Sequence, residues 1–72
     1  PITVISKIDS VLDVFGFSMA IEAQALDLYS RLSRNSENEQ VAQLFLAMAD
    51  DEKEHMNYVK KEMEKHLSSK VA

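Results

Sequence analysis

Glu22, Glu52 and His55 are the residues of this 72-residue chain whose types and spacing could support chemistry. Each stands in a row of apolar residues that recurs at helical spacing, which predicts that each side chain faces inward between helices. Glu52 and His55 are three residues apart, so they lie on the same face of one helix. A buried carboxylate without a partner is strongly destabilising, and two of them require a compensating cation. The pattern therefore predicts a metal site.

Two long helices are needed to position these residues. The first is predicted over residues 7–34, where Ser6 and Asp9 form an approximate capping box and apolar residues recur every three or four positions. Glu22 occupies a core-facing step of this helix. Gly16 lies inside the same helix, and its missing side chain predicts close packing against a neighbouring helix rather than a kink.

The second helix is predicted over residues 37–67. Ser36 and Glu39 form a better capping box at its start, and Asn35 suits a left-handed cap at the end of the first helix. The connection is only a few residues long, so the two helices must be antiparallel. At about 1.5 Å per residue from the connection, the two glutamates fall within about one turn (~5.4 Å) of each other. Residues 68–72 are predicted to be frayed.

The composition excludes several other classes of function. There is no cysteine, which excludes disulfides, thiolate metal sites and thiol redox chemistry. The net charge is −4 and no basic stripe is present, so nucleic acid is not an expected partner. No apolar run approaches the roughly 18 residues of a membrane helix, so no membrane is expected and the predicted location is cytoplasmic. Pro1 means either that an initiator Met was removed or that the chain is one domain of a longer protein.

The chain is predicted to be one domain, residues 1–72, too short to bury much surface alone. Two helices joined by a short loop cannot cover both of their apolar rows, which predicts a second identical hairpin related by a two-fold axis. The predicted fold is all-α: an antiparallel two-helix hairpin that forms a four-helix bundle as a homodimer or higher homo-oligomer. Two copies bring four glutamates and two histidines to one layer, which is the ligand set of di-iron carboxylate bundles.

Two stretches of the sequence resemble the metal-binding helices of the rubrerythrin branch of the ferritin-like superfamily. Residues 20–32, AIEAQALDLYSRL, resemble the first of these helices, and residues 41–55, VAQLFLAMADDEKEH, resemble the second. The similarity covers roughly residues 10–65. It implies a ferritin-like four-helix bundle that holds two iron ions per dimer and reacts with dioxygen or hydrogen peroxide. Manganese or zinc would also suit oxygen and imidazole ligands.

The resemblance also implies a role for individual residues. Glu22 matches a terminal or bridging ligand, Glu52 a bridging ligand and His55 a terminal ligand. Asp51 matches a position that often orients a ligand histidine, and Tyr29 matches a tyrosine near the metals. The alternatives are a surface acid for Asp51 and a core tyrosine for Tyr29. For the three ligands together, the alternative is a solvated groove between slightly rotated helices.

Further along the second helix, Glu62 and His66 continue the row through His55. They could form a site through which metal enters, or they could belong to a solvated helix end. The chain also departs from full rubrerythrins, which have two such halves in one chain and a rubredoxin domain. A glutamate that rubrerythrins have three residues after the first ligand is replaced by Ala25, which argues against a rubrerythrin-style exchange of ligands.

Three hypotheses for the function follow. The first is a di-iron protein that oxidises ferrous iron with dioxygen or reduces peroxide at a site shared by two subunits, which would make it an enzyme of the ferroxidase or peroxidase type. The second is a non-catalytic metal-binding dimerisation module, such as a domain of a larger rubredoxin-fused or rhodanese-fused protein. The third is a metal-free helical interaction domain, whose stability a chelator would not change.

Overall fold

The fold is a pair of packed α-helices. The computed structural model describes the backbone of residues 9–71 and the side chains of residues 9–69. Helix α1 spans Val11–Asn35 and helix α2 spans Glu39–Val71, and this part of the chain contains no strand. Early residues of α1 contact late residues of α2, as Phe15 does with His66, so the helices are antiparallel. The all-α prediction is confirmed.

The start of α1 differs from the prediction. Ser10, with extended backbone dihedral angles, caps the helix, and its Oγ accepts a hydrogen bond from the Asp13 backbone N–H at 3.1 Å. The Asp13 carboxylate in turn accepts from the backbone N–H of Asp9 at 3.2 Å. Asp9 and Ser10 are therefore not helical, so the predicted helix start at residue 7 is wrong over these two residues. The cap is formed by Ser10 and Asp13, which repeat the Ser-x-x-Asp spacing of Ser6 and Asp9. Ser6 lies outside the described residues.

The connection between the helices also differs in detail. Asn35 is the last residue of α1, and no described residue other than glycine has a positive φ, so the predicted left-handed cap is wrong. The side-chain oxygen of Asn38 caps α2 by accepting from the Val41 backbone N–H at 3.0 Å. Ser36 instead shapes the turn, because its Oγ accepts from the Asn38 backbone N–H at 3.2 Å. Asx and Ser side chains both favour such local bonds, so the sequence did not distinguish the two roles.

The far end of α2 is longer than predicted. The helix continues to Val71 rather than ending near residue 67. No glycine or proline follows Leu67, and the hydroxyl of Ser69 donates to the carbonyl of His66 at 2.8 Å. Neither helix in the described part of the chain is long and apolar enough to cross a bilayer. The cytoplasmic location stays a prediction.

The two helices touch along their length but enclose very little. Near the connection Tyr29 stacks on Phe45 with ring centroids 6.4 Å apart, and Ser33 Oγ donates to the carbonyl of Ala42 at 2.8 Å. Ala49, which is 1% exposed, is the only buried residue in the described region. The Cα positions extend 51 × 28 × 10 Å, so the hairpin is a single layer of helices with both sides uncovered. A domain normally needs a second layer to enclose a core.

One side of this layer is strongly apolar, and we call it the open face. Its members are large apolar residues that are 38–66% exposed, and at about 100° per residue they turn to the same side of the hairpin as His55. They are Val14, Ile21, Leu28 and Leu32 on α1, and Val41, Leu44 and Met48 on α2. Gly16 lies away from this face, and a Cβ at its position would have no atom within 4 Å, so the close packing predicted for it does not occur within the hairpin.

Candidate metal centre

Three side chains predicted as metal ligands meet between the helices. Glu22 comes from α1, and Glu52 and His55 come from successive turns of α2. His55 Nδ1 lies 3.2 Å from Glu22 Oε2 and 3.7 Å from Glu52 Oε2. One ligand atom from each residue lies within 4.8 Å of the other two. Donors about 2.0–2.2 Å from one ion lie within roughly 4.4 Å of each other, so a small contraction would let all three bind the same cation.

Local packing explains why the two carboxylates meet. Both side chains lie in the contact between the helices, with exposures of 22% for Glu22 and 16% for Glu52. Ala49 precedes Glu52 by three residues, and its small, buried side chain permits the close approach of α1 at this level. This role of Ala49 was not predicted from the sequence, although an alanine in an apolar row near a polar residue can indicate a close contact between helices. His55 is 61% exposed and turns to the same side of the hairpin as the open face.

The buried oxygens at the centre lack hydrogen-bond donors. Glu22 Oε2 and Glu52 Oε2 are both inaccessible to solvent, and neither accepts a hydrogen bond. His55 Nδ1 lies close to both oxygens, but it forms no hydrogen bond with either. Buried polar atoms are normally satisfied, so two unpaired carboxylate oxygens beside an imidazole nitrogen fit a cation. A set of two carboxylates and one imidazole, without thiolate, suits iron, manganese or zinc.

The electrostatics of the pair point the same way. The pKa of Glu52 is raised above its usual value of 4.5, first because its protonated form would be able to donate a hydrogen bond to the adjacent Glu22 carboxyl. Burial and the negative charge of Glu22 raise it further, while His55 opposes the shift. Two carboxyl groups this close resist being charged together. A divalent cation would compete with the proton that this raised pKa favours, so metal binding would be coupled to proton release.

The other predicted residues lie apart from the three ligands. Tyr29 stacks on Phe45 at an interplanar angle of 19°, and it lies seven residues from Glu22, about 10 Å along the helix. It has the contacts of a core tyrosine. Asp51 is exposed and forms no hydrogen bond with His55 within the described residues. Its role in orienting the histidine stays a prediction.

Glu62 and His66 do not form a cluster of their own. The His66 ring packs against Phe15 with centroids 6.0 Å apart, and its Nε2 is inaccessible and without a hydrogen-bond partner. Glu62 pairs with Lys65 at 3.2 Å. In the described part of the chain, Glu22, Glu52 and His55 form the one group of three residues with the spacing of metal ligands. Metal entry through Glu62 and His66 stays a prediction.

Comparison with known proteins identifies the family. The model of the family described as Rubrerythrin matches residues 13–71, which is most of the chain. The chain therefore belongs to the rubrerythrin family, whose members are di-iron carboxylate proteins. Comparisons with curated proteins and with solved structures gave no significant match.

Proposed function

We propose that this member of the rubrerythrin family forms a homodimer that holds two iron ions between its subunits and oxidises ferrous iron with dioxygen or reduces hydrogen peroxide. The observation that carries the proposal is the pair of buried carboxylate oxygens without donors, Glu22 Oε2 and Glu52 Oε2, beside the His55 imidazole. The ligand set of one hairpin is half of the set that a di-iron bundle requires.

The open face supports a second copy of the chain as the partner. It carries large apolar side chains such as Leu28, 52% exposed, and Leu44, 66% exposed, which lie between the level of the three candidate ligands and the connection. A second hairpin on this face would cover those side chains and bring its own carboxylates and imidazole to the same layer. Two divalent ions would then balance four carboxylates. The single-layer shape of the hairpin supports the same pairing, because a partner is needed to enclose the site.

Each ligand would have a distinct task in the dimer. Glu52, the least exposed of the three, and Glu22 would hold the ions through their carboxylates, and His55 would supply an imidazole nitrogen. Asp51, which precedes His55 by four residues on the same helix, would accept a hydrogen bond from the free imidazole nitrogen and fix the ring. When bound, the iron pair supplies electrons to the oxidant and leaves coordination positions open for it. The apolar residues of the open face would keep bulk water away from the centre.

The test is an anaerobic titration with Fe(II) followed by exposure to oxygen. The expected result is about two irons per dimer and a ferric absorbance change on oxidation. The variant Glu52→Gln keeps the size of the side chain but removes a ligand charge, and it should lose iron uptake. The matched control is Glu54→Gln, which changes an exposed acid two residues away on the same helix and should bind iron as the wild type does. Iron uptake that Glu52→Gln leaves unchanged would contradict the proposal.

A second candidate function is a metal-binding module without turnover. Ala49 is the only buried residue in the described region, so an ion between the helices would contribute much of the stability. Thiolate centres for electron delivery are also missing, because the sequence has no cysteine. Melting that depends on metal, without oxidation of Fe(II) and without peroxide consumption, would select this function. Melting that a chelator leaves unchanged would instead select a metal-free interaction domain.

A further inference from the structure

Three of the four methionines lie next to the metal ligands. Met19 precedes Glu22 by three residues, Met48 precedes Glu52 by four, and Met56 follows Glu52 by four. Residues three or four apart on a helix are neighbours on its surface. Three thioethers therefore lie within about one helical turn, ~5.4 Å of rise, of a carboxylate at the candidate centre. The chain has no cysteine, so these sulfur atoms are the most readily oxidised side chains near it.

The fourth methionine provides an internal reference. Met63 follows Glu52 by eleven residues, which is about 16 Å along the helix axis. Met19, Met56 and Met63 are all half-buried, so an oxidant arriving from bulk solvent should oxidise the three at similar rates. Met48 differs because it is 40% exposed and belongs to the open face. Faster oxidation of Met19 and Met56 than of Met63 would consequently reflect their proximity to the centre and not a difference in solvent exposure.

We propose that Met19, Met48 and Met56 are modification sites that take up oxidant at the centre by becoming methionine sulfoxide. The inference rests on the proposed function, which brings hydrogen peroxide to Glu22, Glu52 and His55. In the reaction the O–O bond of peroxide breaks and one oxygen atom bonds to the thioether sulfur. The other oxygen leaves as water with both protons. The sulfur is oxidised by two electrons and the peroxide is reduced by two, so no further reactant is needed.

Oxidation at these positions would weaken the hairpin around its own site. Met19 and Met56 are half-buried on the two helices at the level just beyond the ligands. A sulfoxide converts a flexible apolar side chain into a polar one, which disrupts apolar packing. An excess of peroxide would therefore first oxidise the thioethers, and the resulting sulfoxides would then lower the melting temperature of the protein.

The first experiment maps the oxidised positions. The protein is loaded with Fe(II) under anaerobic conditions, treated with a small excess of hydrogen peroxide, and digested for mass spectrometry of its peptides. Met19 and Met56 should be oxidised several-fold faster than Met63. Metal-free protein given the same peroxide should oxidise the three at similar rates. Equal rates in the loaded protein, or a preference that persists without metal, would overturn the inference.

The second experiment removes the thioethers. Met19→Leu combined with Met56→Leu keeps the apolar volume and should bind iron normally, so the same iron titration serves as its control. After peroxide treatment the loaded wild type should lose melting temperature while this variant keeps it. Equal losses would count against the inference alone. Absence of iron uptake by the wild type would overturn both the inference and the proposed function, which distinguishes the two failures.

Discussion

Glu52→Gln should change the stability of the protein in opposite directions with and without metal. In metal-free protein the Glu52 carboxyl lies against that of Glu22, and this contact raises its pKa. An uncharged amide relieves the repulsion at neutral pH, so the metal-free variant should melt above the metal-free wild type. In the presence of metal the same change removes a ligand charge, and the variant should melt below the wild type.

The size of the metal effect follows from binding linkage. A ligand that binds only the folded state adds about 2.7 kcal/mol at a concentration 100 times its dissociation constant. For a domain of this size, 1 kcal/mol shifts the melting temperature by about 4–8 °C. Metal should consequently raise the melting temperature of the wild type by roughly 10–20 °C. The variant should lose most of this increase.

The assay is thermal melting followed by circular dichroism at neutral pH, with Fe(II) under anaerobic conditions or Zn²⁺ as a redox-inert substitute, and with metal removed. Glu54→Gln is the matched control, because Glu54 is exposed on the same helix and is not one of the ligands. Surface changes of this kind usually alter stability by less than about 0.5 kcal/mol in either direction. The reasoning is refuted if Glu52→Gln has the same sign of effect in both conditions, or if the control reproduces the reversal.

Three further predictions concern assembly, pH and backbone entropy. Leu44→Glu places a charge on the open face and should convert the proposed dimer to a monomer in sedimentation velocity, whereas Leu46→Glu, at 44% exposure on the other side of α2, should still be dimeric. A dimeric Leu44→Glu would argue against the open face as the interface. Because the pKa of Glu52 is raised in the folded state, its contribution to the stability of the metal-free protein is full below about pH 4.5 and is lost as the pH rises through the folded-state pKa. The melting temperature of metal-free Glu52→Gln should therefore exceed that of the wild type by an amount that grows between about pH 4.5 and 8. A difference that stays constant over this range would contradict the prediction. Gly16→Ala should raise the free energy of unfolding, measured by urea titration, by about 0.5–1 kcal/mol. A Cβ at this position has open space around it, and glycine within a helix loses more backbone entropy on folding than alanine does. A loss of stability would mean that another chain packs against this position.

Spacing within each helix could be derived from the sequence because helical geometry is local. A rise of about 1.5 Å and a turn of about 100° per residue place Glu52 and His55 on one face wherever the helix lies. The same rule identified Glu22 as the inward residue of α1, and the structure brings these three together. Absence of cysteine limited the donors to oxygen and imidazole in the same direct way. The presence of two helices and the three candidate ligands could therefore be predicted from the residue order.

Contacts between the helices were decided only by the tertiary structure. Which atoms meet, such as His55 Nδ1 and Glu22 Oε2 at 3.2 Å, depends on how α2 packs against α1, which the periodicity within each helix does not fix. Ser10 caps α1 and Asn38 caps α2, and neither had been predicted, because the folded backbone decides which of several nearby polar side chains reaches the free N–H groups. Likewise, Tyr29 stacks on Phe45 and does not contact the candidate ligands. The contacts of a side chain are determined by the packing of the two helices, which local periodicity does not specify.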